Sequence, residues 1–136
     1  MSIAAQKRLL KRWIILADKT LSRRTRRVTR LEYGLCPFCK AKPIKHCFHF
    51  VTRRKWAARW DSRNVIGSCA SCNYNERYYP DKYRAWYIRK YGVEQYLSVC
   101  DLAESTVELS VPYLKEIVKK LNARKAPRTR TPISGS

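Results

Sequence analysis

Two Cys-x-x-Cys pairs, Cys36/Cys39 and Cys69/Cys72, are separated by the 29 residues from 40 to 68. Four thiolates in two such pairs are brought together when the intervening chain folds back, and they read as the ligands of a structural zinc ion. The same insert holds both histidines of the chain, His46 and His49. Only six residues separate Cys39 from His46, which argues against a finger of the two-Cys, two-His type. Disulfides and buried free thiols are the other uses of paired cysteines. The opening MSIAAQKRLLKRWIILADK has charges on both sides of a short apolar run, so no signal peptide is expected and the cysteines are read as reduced, in a cytoplasmic setting. Cys47 and Cys100 lack a comparable partner and are read as core thiols.

The order His49, Asn64, Asn73 around these pairs outlines a hydrolytic chemistry. A neutral imidazole can take a proton from water near neutral pH, one amide can orient that imidazole or its loop, and a second amide can ligate a divalent ion. Such an ion would polarise a phosphate and stabilise the leaving oxygen, a plan for phosphodiester hydrolysis. The competing reading is a strand histidine that is simply packed or hydrogen-bonded.

Charge points to the same class of partner. Thirty Lys and Arg against ten Asp and Glu leave a net charge of +20, a field that attracts polyanions and releases their counterions. Nucleic acid is the expected partner, and no segment is apolar enough to span a bilayer. An anionic membrane surface is the rival, but aromatic residues at 12% interleaved with arginine suit phosphates and bases at least as well. Two basic stretches stand out: Arg23, Arg24, Arg26, Arg27 and Arg30 within SRRTRRVTR, and Arg53, Arg54, Lys55 and Arg59 within TRRKWAARW. For the first, a solvated helix face and a phosphate contact are both open.

The elements that must position these residues are mostly helical, giving an α+β chain. Leu9, Trp13 and Leu16, broadened by Leu10 and Ile14, predict an amphipathic helix over 3–17, followed by the arginine run as a basic arm to residue 30. Residues 31–92 form the expected zinc-bound core. There, 45–52 read as a strand with His46, Phe48 and Phe50 on one face and Cys47, His49 and Val51 on the other, so the two histidines point apart. Val65 and Ile66 make a second strand, and a helix is expected past Cys72, holding Asn73. Pro80 and Gly92 bracket another helix, 93–104 a further one, and Ser110 caps a last helix with Leu114, Ile117, Val118 and Leu121 on one face. The C-terminal helices are placed in 93–124, and the basic tail 125–136 is read as disordered.

In this order CPFC, HCFHFV and RNVIGSCASCN resemble the HNH nucleases that carry a four-Cys zinc site. More closely, HFVTRRKWAARWDSRNVIGSCASCNYN followed by DKYRAWYIRKYGVEQYLSV resembles the NinG (Rap) group of phage recombination endonucleases, over residues 31–121. The resemblance implies a treble-clef-like ββα-metal core with added helices, a branched DNA substrate and a phage or prophage source, hence a host cytoplasm. It implies His49 as general base, Asn64 as support of the base loop, Asn73 as helix ligand to a catalytic magnesium or manganese ion, and the four cysteines as zinc ligands. Many HNH enzymes place Asp or His just before the base, where this chain has Phe48; His46 and Asp61 are the candidates to replace that ligand. The alternative is a non-catalytic zinc-binding, nucleic-acid-binding or transcription-regulating module on the same scaffold. A symmetric branched substrate would favour a homodimer.

Overall fold

The computed structural model describes residues 1–123. The tail 125–136, read above as disordered, lies outside them.

Helix α1 runs unbroken from Ile3 to Tyr33, starting where Ser2 Oγ accepts from the Ala5 N–H at 3.1 Å and stopping at Gly34, whose φ of 78° is open to glycine. The expected break between a short helix and a basic arm is therefore absent. The reason is a face the hydropathy pattern hides: Ala17, Leu21, Thr25 and Thr29, four residues apart, are all buried among the arginines. Leu10, Trp13 and Ile14 extend this face, whereas Leu16 is turned to solvent.

Strand β1 (His46–His49) pairs antiparallel with β2 (Val65–Ser68), with Phe48 opposite Ile66 and His49 opposite Val65. The strand is shorter than the expected 45–52. It ends because the Asn64 side chain captures both polar groups of the Val51 backbone, taking its N–H at 2.7 Å and donating to its carbonyl at 3.1 Å. Between the strands lie the short helix α2 (Trp56–Arg59) and a 3₁₀ turn, Ser62–Asn64. Helix α3 (Ala70–Asn75) begins ahead of Cys72, with Cys69 as its N-cap. Three longer helices follow: α4 (Pro80–Tyr91), α5 (Val93–Ala103) and α6 (Val111–Leu121). Ser110 Oγ accepts from the Tyr113 N–H at 3.2 Å, so α6 starts at the expected cap.

Two apolar clusters flank the hairpin. On one side Ala17 and Leu21 of α1 meet Leu114 and Leu121 of α6, with Trp60 and Val65. On the other, Phe48, Ile66 and Tyr83 pack with the sulfurs of Cys36, Cys69 and Cys72, and Phe38, Phe50 and Trp86 close the group. The Phe38 ring lies 4.9 Å from those of Phe48, Tyr83 and Trp86, in tilted or edge-on contacts. No helix among the described residues is long and apolar enough to cross a membrane.

Helix α1 comes close to the sheet at Gly67, whose N–H donates to Thr29 Oγ1 at 2.8 Å. A Cβ there would stand 2.6 Å from Ile44 Cγ2 and 2.9 Å from Thr29 Cβ. Gly67→Ala is expected to lower unfolding stability by about 1–3 kcal/mol through overpacking; an unchanged denaturant midpoint would contradict this close fit.

Candidate functional site

The sulfurs of Cys36, Cys39, Cys69 and Cys72 all lie within 4.8 Å of one another, a cluster that could hold a metal ion. Local structure presents them. Lys40, at φ 60°, takes the left-handed conformation that closes the first knuckle, and its N–H donates to the Cys36 carbonyl at 2.8 Å. In the second, Cys69 Sγ accepts from the Cys72 N–H at 3.3 Å across the first turn of α3. Cys39 and Cys69 sulfurs are 3.8 Å apart, which matches the edge of a tetrahedron with metal–sulfur bonds of about 2.3 Å. Burial pushes the Cys72 thiol up to about 12 and raises Cys36 as well, while backbone N–H groups of Ala41 and Lys42 help hold the exposed Cys39 near 7. The buried Tyr83 hydroxyl lacks a conventional hydrogen-bond partner and interacts with the Cys72 sulfur. A metal-bound thiolate is the acceptor that hydroxyl needs.

Beside the cluster, an open cavity of about 650 Å³ is lined by both histidines, Asn73, Thr52, Arg53 and Arg54, with Asp18, Lys19 and Glu76 completing its polar wall. His49 is the most constrained of these. Its Nε2 lies 2.9 Å from the Arg59 carbonyl, which can only accept, so Nε2 carries the proton and Nδ1 keeps its lone pair. Burial is the main cause that lowers the imidazole pKa to about 4, helped by the charges of Arg53 and Arg59. The side chain is thus neutral at pH 7.

Asn64 is fully buried, and besides Val51 it donates to the Ala58 carbonyl at 3.0 Å, tying the end of β1 to α2, the helix that supplies the Arg59 carbonyl. Asn73 sits on α3 directly after Cys72 of the sulfur cluster and lines the cavity. His46 is exposed at the start of β1 but shares the cavity wall with His49, although strand alternation alone predicts them apart. Asp61 is placed elsewhere. It caps the 3₁₀ turn, accepts from the Arg63 N–H at 2.9 Å and pairs with the Arg63 guanidinium at 3.0 Å, on a separate surface beside Tyr113 and Leu102. Phe48, the residue before His49, is buried in the aromatic cluster and offers no ligand. Apart from the cysteines, no three His, Cys, Asp or Glu side chains among the described residues approach closely enough to hold an ion.

The basic residues divide by what they touch. Arg23 and Arg27 lie exposed on α1, whereas Arg24 donates to Ser62 Oγ, Arg26 to the Ser22 carbonyl and Arg30 to the Ile44 carbonyl. Arg54 lines the cavity, and Lys55 pairs with Glu104 at 3.3 Å. Arg53 and Arg59 both reach Asp18, at 3.1 and 2.6 Å, with the Arg59 side chain only 14% exposed. Cys47 is half-buried on β1 with its thiol pushed up to about 11 by burial, and Cys100 is half-buried on α5.

Asp18 is the group that sequence reasoning missed. Its carboxylate accepts from Arg59 Nε at 3.0 Å, from Arg59 Nη2 at 2.6 Å and from Trp60 Nε1 at 2.9 Å. Burial alone would raise its pKa, but those hydrogen bonds and the Arg59 and Arg53 charges hold it below the usual value. Through Arg59 it fixes the peptide whose carbonyl orients His49. A signal was present: Asp18 is the lone acid among the first 31 residues.

No protein-family model matches this chain, and no curated protein or solved structure matches it.

Two measurements check this geometry. An unfolded imidazole gains its proton near pH 6.5 while the folded His49 stays neutral to about pH 4, so stability is lost as pH falls through that window. The loss is on the order of 3 kcal/mol, and His49→Gln should remove it from the pH profile of denaturant unfolding; identical profiles for the two proteins would contradict the buried neutral state. Stripping bound metal with a strong chelator should unfold residues 36–83, read by loss of near-ultraviolet circular dichroism, and full retention of that signal without metal would show the sulfur cluster dispensable.

Proposed function

We propose that the chain is a metal-dependent DNA endonuclease of the HNH type, with a zinc ion on the four cysteines as its structural staple. The reading rests on one observation: His49, neutral and held as the Nε2–H tautomer by the Arg59 carbonyl, shares a cavity with Asn73 one residue beyond the sulfur cluster. In that role His49 Nδ1 takes a proton from the attacking water, and the Arg59 carbonyl stabilises the imidazolium that results. Asn64 keeps the Val51 and Ala58 backbones in place so that the base does not drift. Asn73 and His46, both on the cavity, are the side chains that would hold a magnesium or manganese ion, whose chemistry would be to polarise the phosphate. Arg54 on the wall, and Arg23 and Arg27 on α1, supply positive charge for the DNA backbone. The resemblance to the phage recombination nucleases favours branched DNA as substrate.

A second reading has a specific observation in its favour. Phe48 fills the position where many HNH enzymes carry a metal-binding residue, and its side chain is locked in the core at 1% exposure. On that reading the same frame binds DNA without cutting it.

The deciding experiment incubates the protein and His49→Ala with a labelled four-way junction and a matched duplex, in magnesium or manganese. Metal-dependent cleavage that falls at least about 100-fold in the variant, with binding retained, is the expected result. Tight binding with no cleavage in either metal would favour the second reading, and equal cleavage by His49→Ala would remove His49 as the base.

A further inference from the structure

The chain has nine tyrosines, four tryptophans and three phenylalanines, and thirteen of these sixteen rings are buried or half-buried. The exceptions are Tyr74, Tyr78 and Tyr79, at 53%, 59% and 61% exposure, three rings within six residues. Residues 124–136 contain no aromatic, so this stretch carries every exposed ring of the chain. Single exposed rings are ordinary on a protein surface; this confinement to one place is not.

The cluster has internal order. The Tyr74 and Tyr78 rings lie 5.5 Å apart with their hydroxyls 3.1 Å from each other, and the Arg77 guanidinium stands 4.8 Å from the centre of the Tyr74 ring. Rings fixed in this way lose little freedom when a ligand stacks on them. It also shares its segment with the cavity: Asn73 and Glu76 line the cavity, while the intervening and following Tyr74, Arg77 and Tyr78 are exposed.

We propose that Tyr74, Tyr78 and Tyr79 form a stacking platform for unpaired nucleobases of a DNA strand that enters the cavity beside His49. This rests on the nucleic-acid reading above and narrows it to substrates with single-stranded character. Base pairs in a duplex keep their faces covered by their neighbours, so only bases at a branch, flap or tail can present a face to tyrosine. Arg77 adds a cation beside the rings, matching the phosphate that links such bases, and the net charge of +20 draws the strand in.

The test measures anisotropy of a labelled blunt duplex and of the same duplex with a single-stranded tail, without divalent cation so that nothing is cut. The full chain should bind the tailed duplex more tightly. Tyr74→Ala, Tyr78→Ala and Tyr79→Ala combined should erase that preference, a loss of about five- to 150-fold for each stacked base, leaving blunt-duplex affinity and its salt dependence unchanged. The combined Phe variant, which keeps the rings, should bind as the parent does. Equal affinity of the parent for both DNAs, or a loss in the Ala variant shared equally by both, overturns the platform and leaves the nucleic-acid reading standing. Failure of the parent to bind any DNA at low salt overturns both. A dimer in sedimentation that the Ala substitutions convert to monomer overturns the platform in favour of a self-association face.

Discussion

Four cysteine sulfurs gathered within 4.8 Å set the boundary conditions for everything between residues 36 and 72. Three of them are buried, and thiols so placed resist ionisation unless a cation compensates. The cluster joins the knuckle after α1 to the first turn of α3, and so fixes both ends of the strand pair between them. Phe38 from the first knuckle then reaches Phe48, Tyr83 and Trp86, so the cysteine knuckle and the aromatic core are one packing unit. In a chain of 136 residues carrying thirty cationic side chains, an ion held by this cluster would offset charge repulsion that a small core would meet alone.

The candidate base is held from two directions. Asn64, at the foot of β2, ties Val51 to Ala58, while Asp18, from the middle of α1, grips Arg59 and Trp60. The two grips converge on the single backbone carbonyl that faces His49 Nε2. Helix α1 is therefore part of the site's support as well as of its charge. Its Thr29 hydroxyl donates to the Thr25 carbonyl and accepts from Gly67 N–H, seating the helix against β2 at a distance only glycine allows.

Much of this was legible because spacing and cap chemistry are local. The Cys-x-x-Cys pairs, the Ser110 cap and the Pro80 to Gly92 helix each appear where short-range pattern puts them. The α1 face was illegible for an equally physical reason: Thr25 and Thr29 are polar by composition, but a threonine that bonds the carbonyl four residues back can be buried. The strand 45–52 came out short because a side chain from the turn before the other strand, Asn64, took the hydrogen bonds that would have extended it. Asp61 looked available in the sequence only because its capture by Arg63, two residues on, depends on the turn they share.

The sequence by itself determined that the chain is basic, mostly helical and provided with two Cys-x-x-Cys pairs, with His49, Asn64 and Asn73 in order around them. These are properties of composition and of residues a few places apart. Tertiary structure alone decided that Asp18, 41 residues before Arg59, is its partner, that Arg59 points inward and not at solvent, and that His49 is neutral. It also decided that Tyr74, Tyr78 and Tyr79 would be the aromatic rings left exposed. Burial and long-range hydrogen bonds exist only after folding, and they set which of many charged and aromatic side chains remain available for function.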